Sequence, residues 1–465
     1  MNKTYNIKKI LIACIFTILV IVCFVKLYGY FNSATIEVST DSAENYIKIE
    51  RITTGESFSI QRQANKMRER VKPGVYTVSV FNKEGVSGQA KTISVDSREI
   101  QKVSLSVPIA KTPEPVFGGS ASDITADSNQ LLFVSGAKGE LYKADGSGVS
   151  ILYPRMGFRS VDWIRPGYGV AQSSSSALVL INNGLVSKLV LPRDVFVDES
   201  FAYGASKNGD LYIASGSNVY IGSVDSDKFK KIFTSPSSGV GISVGLNSVA
   251  ITTGGFGGNG GSVINVDRSG KLIGKRSISA SAVSWSPDGE RLFVSDERTG
   301  KILNSKLDEV AVVPFKHISS FTWLDDDSVL IGVDNRLWQY DIQSKISKLL
   351  TSVTMGNTIF GVYASVDLGQ VYFTTRNSER SQIYRVPTSK SQSAVSTDLG
   401  KLPLILPDSF GFCVVSYVNF VKPIITVKYP RPDARENCIQ TAKDELSYFD
   451  INPSLFTFSP TLSKN

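Results

Sequence analysis

Gly241-Ile242-Ser243-Val244-Gly245 has the Gly-x-Ser-x-Gly spacing of a nucleophile elbow, where a strand-to-helix turn presents a serine to an acyl carbonyl. That chemistry needs a histidine to take the serine proton. The chain has one histidine, His317, between Lys316 and Ile318, and Ser243 falls in a strand-like stretch with no helix after it. Acyl transfer is therefore not predicted. The run from Gly254 to Gly261 is rich in glycine, as phosphate cradles are, yet a strand pattern (Ser262 to Val266) follows it instead of a helix or a Gly-Lys-Ser/Thr sequence. It reads as a hairpin loop with room for recognition. Asp325-Asp326-Asp327 could attract a cation, but the spacing is not that of a calcium loop. With one histidine and four cysteines no multi-ligand metal centre is expected, and no cofactor.

The elements that would position any site are easier to read. The 465 residues are 42% apolar and 20% charged, enough apolar surface for ordered domains. One stretch alone is long and apolar enough to cross a bilayer. It runs from Ile10 to Phe31, preceded by Lys3, Lys8 and Lys9 and closed by Lys26, Tyr28, Tyr30 and Phe31. A single transmembrane anchor over 10–31 is predicted, with 1–9 cytoplasmic and the rest extracytoplasmic. A cleaved signal peptide would need small residues before its cut, and the best site, after Ala34, has Asn32 at −3. Leu11-Ile12-Ala13-Cys14 resembles a lipobox, but most of the apolar run follows Cys14 instead of preceding it. An uncleaved signal anchor is the expectation.

Residues 34–108 alternate with period two around Ile36, Ile47, Val78 and Val103, with turn signals such as Lys72-Pro73-Gly74, which predicts a small β-sandwich. The basic stretch Arg62 to Lys72 reads as a solvated loop or short helix, or as a contact with anionic lipid headgroups or envelope polymer near the membrane. Val71-Lys72-Pro73-Gly74-Val75-Tyr76-Thr77-Val78 resembles the PGxYxV strand of PEGA-type surface domains, without the Pro-Glu-Gly-Ala tetrapeptide. The resemblance implies a non-catalytic spacer or adhesion-like module on the outside of a prokaryotic cell. Residues 109–118, with Pro113 and Pro115, read as a semi-rigid linker.

From 119 to 402 the sequence repeats, with anchors at Ile124, Trp163, Tyr203, Ile242, Trp285, Trp323 and Ala364, about 40 residues apart. That is the length of a four-stranded propeller blade, and seven blades are counted. In the fifth repeat strands are expected near 281–286, 291–295, 300–304 and 309–313. Ser286-Pro287-Asp288-Gly289 before an apolar strand resembles the repeat of TolB-like and WD40-like propellers, although the Gly-His and Trp-Asp dipeptides of true WD40 repeats are missing.

After 402 the period breaks. Residues 403–465 read as a small α/β unit, with strands at Phe412 to Val415 and Ile424 to Val427, a helix from about Ala434 to Phe449 capped by Asp433, and a closing strand at Leu455 to Phe458. Cys438, Ala442, Leu446 and Phe449 share one helix face. Cys413 on the first strand and Cys438 on that face could meet as a disulfide; two buried thiols are the alternative.

The expected fold is thus mainly β: a transmembrane helix, a small β-sandwich, a seven-bladed β-propeller and a C-terminal α/β unit. The net charge is +8. Rim loops of the propeller are expected to carry Arg155, Arg159, Arg193, Lys275, Arg276, Lys316, Arg376 and Arg380, a field able to steer an anionic partner. The function expected is an anchored binding or scaffold protein that recognises a glycan, such as an anionic polysaccharide, or a protein of the cell envelope. A propeller enzyme acting on a glycan, hydrolase or lyase, would need a central carboxylate pair, and the Ser-x-Asp-x-Gly-x-x-Trp boxes of sialidases are absent. A structural subunit of an envelope complex is the third reading. Nucleic acid is not expected, for want of any binding motif.

Overall fold

The computed structural model describes residues 33–462 apart from 53–58, 83–86, 108–109, 119–120, 127–130, 136–138, 146–147, 154–156, 166–167, 174–176, 183–184, 198–200, 207, 224–225, 255–260, 297–298, 366–368, 377–380, 389–407, 411–412, 420–422 and 449–450. The expected anchor over 10–31 lies outside the described residues. Among the described residues no helix is long and apolar enough to cross a membrane. The chain is mainly β and divides into two units, 1–109 with 345–348, and 110–344 with 349–465.

In the first unit, Ala34–Thr40 lies between antiparallel Lys66–Val71 and parallel Ile100–Leu105. A second sheet takes the order Ser87–Val95, Gly74–Phe81, Tyr46–Arg51, Ser59–Gln63. The two share one core, in which Ile36, Ile47, Val78 and Val103 are buried. Tyr76 sits in that core, and its hydroxyl donates to the Lys72 carbonyl at 2.7 Å. The segment 62–72, expected as loop or helix, instead contributes to two strands. Met67 and Val71 alternate inward while Lys66, Arg68 and Arg70 face out. A charge at every second position satisfies a strand with one wet face.

Among the described residues the second unit shows seven sets of four antiparallel strands, I to VII in chain order; I to V are separate four-stranded sheets, and VI and VII are parts of larger ones. Their first strands are Ala121–Ala126, Phe158–Arg165, Phe201–Ala205, Gly239–Val244, Ala282–Trp285, Ile318–Trp323 and Thr358–Ser365. Sheet V has Ala282–Trp285, Arg291–Ser295, Gly300–Asn304 and Glu309–Val312, within a residue of the boundaries read from sequence. Second strands are buried on both faces. All six residues of Ser248–Thr253 are buried, as are five of the six in Ser328–Val333. A strand loses its period-two pattern when each face has a neighbour covering it.

Those neighbours are the adjacent sheets. Leu132 and Val134 of sheet I pack on Val161 and Ala171 of sheet II, and Val170 of II on Leu211 and Ile213 of III. Tyr212 of III meets Val249 and Ile251 of IV, and Ala250 of IV meets Leu292 and Val294 of V. Phe293 of V meets Val329 of VI, Leu330 of VI meets Val371 of VII, and Tyr372 of VII returns to Leu131 and Phe133 of I. The sequence of sheets therefore closes on itself, and the first strand of VII lies against that of I.

The fourth strand of sheet VII is not the next one in the chain. It is Glu114–Gly118, which precedes sheet I and pairs antiparallel with Ser381–Pro387. The segment 109–118, expected as a linker, is thus partly a strand, and Glu114 is ion-paired to Arg385 at 2.9 Å with both side chains under one-fifth exposed. Beyond it the sheet continues into the C-terminal module, through Cys413–Asn419, Pro423–Tyr429 and the parallel strand Thr457–Leu462. The helix α1, Arg435–Tyr448, covers it with Cys438, Ala442 and Leu446, and Cys413 and Cys438 form a disulfide with Cα atoms 5.5 Å apart. Asp433, expected as the helix cap, lies inside a short 3₁₀ turn, Pro432–Ala434, that leads into α1.

Candidate functional site

First strands of neighbouring sheets face each other without a backbone ladder, so side chains latch them. Asp123 Oδ2 accepts from Val161 N at 2.9 Å between sheets I and II, and Ser160 Oγ lies 3.2 Å from the Tyr203 hydroxyl between II and III. Ser243 Oγ accepts from Trp285 N at 2.9 Å between IV and V. Trp323 Nε1 donates to Ser284 O at 2.9 Å between V and VI, and Ser319 Oγ donates to Ile359 O at 2.6 Å between VI and VII.

Ser243 is thus a strand residue occupied by a structural hydrogen bond. The glycines around it have packing reasons: a Cβ on Gly241 would come within 2.8 Å of Thr252 Oγ1, and one on Gly245 within 3.0 Å of the Trp285 ring. His317 is exposed, with φ of 55°, just before sheet VI. The acids at 325–327 are engaged too. Asp327 accepts from Arg291 at 2.7 Å and Gln343 at 3.0 Å, and Asp326 accepts from Asp288 N at 2.8 Å. The Arg291 and Gln343 bonds hold the Asp327 carboxyl below its usual range. Among the described residues no cluster of histidine, cysteine and carboxylate groups could hold a metal. Of the glycine-rich loop, 255–260 lie outside the described residues; it connects the second and third strands of sheet IV.

Where the first strands converge they line a cavity of about 460 Å³. Six of the seven sheets contribute. Asp123, Ser160, Asp162, Gln172, Tyr203 and Ser281 bring polar groups, and Ile124, Phe201, Ile242, Val362 and Tyr363 bring apolar or aromatic surface. Among the described residues that line it none is basic. Asp123 accepts from two backbone N–H groups, Val161 and its own neighbour Ile124 at 3.0 Å, yet burial outweighs them and pushes its carboxyl up to about 6. Tyr203 is driven strongly upward by burial, then by the nearby Asp162 and Asp123 carboxylates, so it stays a neutral hydroxyl.

Asp123 makes stability pH-dependent in the direction opposite to most carboxyls. Its folded value lies above the unfolded 3.8, so its contribution is full below about pH 4 and is lost as pH rises through 6. Comparing wild type with Asp123→Asn at pH 4 and pH 7 by denaturant unfolding cancels the other carboxyls. The wild-type advantage should shrink by about 2 kcal/mol at pH 7, less than two full pH units' worth because the group faces a cavity. An advantage that grows with pH would reverse the assignment. Asp162 and Tyr203 are the charged or titratable neighbours that could modulate it.

The basic residues expected to form the binding rim are spread more widely. Arg155 and Arg380 lie outside the described residues. Arg193 is exposed in the connection between sheets II and III, and Lys316 in that between V and VI. The others, expected in loops, belong to strands. Arg159 is in the first strand of II, Lys275 and Arg276 end the last strand of IV, and Arg376 ends the second strand of VII. Arg159, Lys275 and Arg376 are exposed. Arg276 is committed elsewhere, donating to Leu307 O at 2.8 Å and lying 3.4 Å from Glu309. In an antiparallel sheet the start of strand one and the ends of strands two and four share an edge, so each stands at the corresponding edge of its own sheet.

Reasoning from sequence missed Asp123, Asp162 and Gln172. A signal existed for two of them, since Asp123 and Asp162 each precede a repeat anchor, Ile124 and Trp163, by one residue. No family model matches the chain, and no curated protein matches it.

Proposed function

We propose that the chain is a membrane-anchored, extracytoplasmic binding protein whose seven sheets form a β-propeller, and that the central cavity receives a sugar residue of an envelope glycan. The observation that carries this reading is the lining of the cavity. Two carboxylates, an amide and several hydroxyls converge beside Phe201, Tyr203 and Tyr363, with no cation among the described lining residues. Carboxylates and amides bridge vicinal hydroxyls, and aromatic rings cover the apolar face of a pyranose. An anionic group would meet two carboxylates there, so a neutral or amino sugar fits the cavity, and the basic edges are left to contact the rest of a polymer. The Cys413–Cys438 bond supports an oxidising compartment, and the closed circuit of sheets with a borrowed last strand supports the propeller.

Full-length protein in detergent, titrated calorimetrically with neutral and 2-amino mono- and disaccharides, tests it. Asp162→Asn should weaken binding about tenfold or more, the worth of a hydrogen bond to a charged group. No binding across the panel, or binding unchanged in that variant, overturns the reading.

One observation favours a second reading, a glycoside hydrolase. Asp123 and Asp162 share the cavity, and the raised Asp123 could serve as an acid. Against it, both Asp123 oxygens already accept backbone N–H groups, which opposes proton donation from the same atoms. Release of nitrophenol from aryl glycosides, abolished in Asp123→Asn, would decide for hydrolysis.

A further inference from the structure

We infer that the outer face of the three-stranded sheet in the first unit is a docking surface for anionic lipid headgroups. This rests on the reading of residues 10–31 as a membrane anchor. The inner face of that sheet is core, with Ile36, Val38, Met67, Val71, Val103 and Leu105 buried. The outer face is aligned in rows by the strand register. Arg70 lies beside Thr35 and Ile100, Arg68 beside Glu37 and Lys102, and Lys66 beside Ser39 and Ser104. Lys66, Arg68, Arg70 and Lys102 are all exposed, and Ile100 is 51% exposed among them. Glu37 is the one carboxylate in these rows and is paired to Arg68 at 3.2 Å.

A bland account exists. Both flanking strands are edges of this sheet, and edge strands carry charges to discourage pairing with other chains. That role is served by either sign, whereas four cations stand here against one carboxylate. The whole chain has 50 basic and 42 acidic residues, so composition alone does not produce the imbalance.

The position of the face in the chain names its occupant. The predicted membrane span ends at Phe31 and the central strand begins at Ala34. Three residues span at most about 10 Å. Arg98 N donates to Ser33 O at 2.9 Å, so the turn carrying Arg98 is tied to this junction, with Arg70 one strand away opposite Thr35. Asp96 and Glu99 in the same turn offset part of the charge there, leaving the rows as the stronger basic feature. A basic group within a Debye length of an anionic bilayer is attracted to it. The rows keep a net positive charge after the Arg68–Glu37 pair, and that charge, held on one rigid sheet and delivered by the anchor itself, seats the face on the headgroups, with Ile100 turned toward the interface.

The test uses the full chain reconstituted in vesicles, with a fluorophore on Ser104→Cys in a Cys14→Ser, Cys23→Ser background that leaves Cys413–Cys438 intact. Ser104 is exposed on the proposed face. A trace of headgroup-spin-labelled lipid quenches a fluorophore held at the surface. Quenching should be about twofold or more stronger in phosphatidylcholine–phosphatidylglycerol mixtures than in phosphatidylcholine alone. It should fall to the lower level in high salt and in Arg68→Gln, Arg70→Gln, Lys102→Gln. Equal quenching in the two lipids, or quenching indifferent to the triple substitution, overturns the docking surface while leaving the anchor in place. Release of the unlabelled chain from vesicles by alkaline carbonate is a separate readout; it overturns the anchor reading and the docking surface with it.

Discussion

Replacing Phe117 by alanine should lower the unfolding free energy of the unit formed by 110–344 and 349–465 by about 3–5 kcal/mol, the range for a buried phenylalanine deletion. Phe117 is 5% exposed and lies on the strand that completes sheet VII from the wrong end of the chain. Its ring centroid is 4.6 Å from that of Phe133 and 6.4 Å from that of Tyr142, both in sheet I, and its cluster includes Tyr372 and Ile383 of sheet VII. One side chain therefore joins the first and last sheets. Trp163, Trp285, Trp323 and Trp338 all belong to this unit, so tryptophan fluorescence in a urea titration reports on it alone. Phe117→Leu should cost under about 2 kcal/mol, because most of the volume stays. A loss below about 1 kcal/mol for the alanine variant would mean that the borrowed strand decorates the sheet without holding it closed.

Removing the Cys413–Cys438 bond comes next in size. The two cysteines are 25 residues apart, and closing such a loop restricts the unfolded chain by about 3.5 kcal/mol in the chain-entropy model. Both are buried, Cys438 completely, against Val415, Ile425 and Leu446. Cys413→Ala with Cys438→Ala should therefore shift the unfolding midpoint of wild type downward, and added reductant should do the same to wild type while leaving the double variant unmoved. The strand that begins at Cys413 also touches the borrowed strand, through Val418 opposite Phe117. The double variant should accordingly make Phe117→Ala less harmful than it is in wild type, because the two changes share a structure. Strict additivity of the two losses would show that the C-terminal module and the closure are independent.

Much of the fold was legible because it repeats. Strands of sheet V fall within a residue of their sequence limits, since an apolar run bounded by Ser-Pro-Asp-Gly and Arg-Thr-Gly has few other ways to fold. The α1 face of Cys438, Ala442 and Leu446 was legible for the same reason, a helical period with nothing to contradict it. The borrowed strand was not. Glu114-Pro115-Val116-Phe117-Gly118 has a proline and a glycine in five residues, a composition that disfavours strands, and its partner lies some 270 residues away. Tertiary pairing overrode local preference there. The strand Lys66–Val71 was obscured by its charges, although Met67 and Val71 kept the right period. The cavity was hidden for a different reason. Asp123 and Asp162 look like ordinary polar residues of half-exposed strands, and only the stacking of sheet I against sheet II brings them to one place. Conversely Ser243, which carried a recognisable spacing, is tied to Trp285.

The borrowed strand also sets a schedule. Glu114 leaves the ribosome long before Arg385, 271 residues later, with which it pairs. At about 5–20 residues per second the wait is roughly 15–55 s. Through that interval Val116 and Phe117 have no sheet to join, and sheets I to VI can stack only as an open arc with two unsealed ends. The last step of folding is thus a long-range closure, late and slow by the logic of contact order. A chain that stalls or is truncated before residue 381 would be left with an apolar edge exposed at each end of the arc. Such exposed apolar edges favour aggregation.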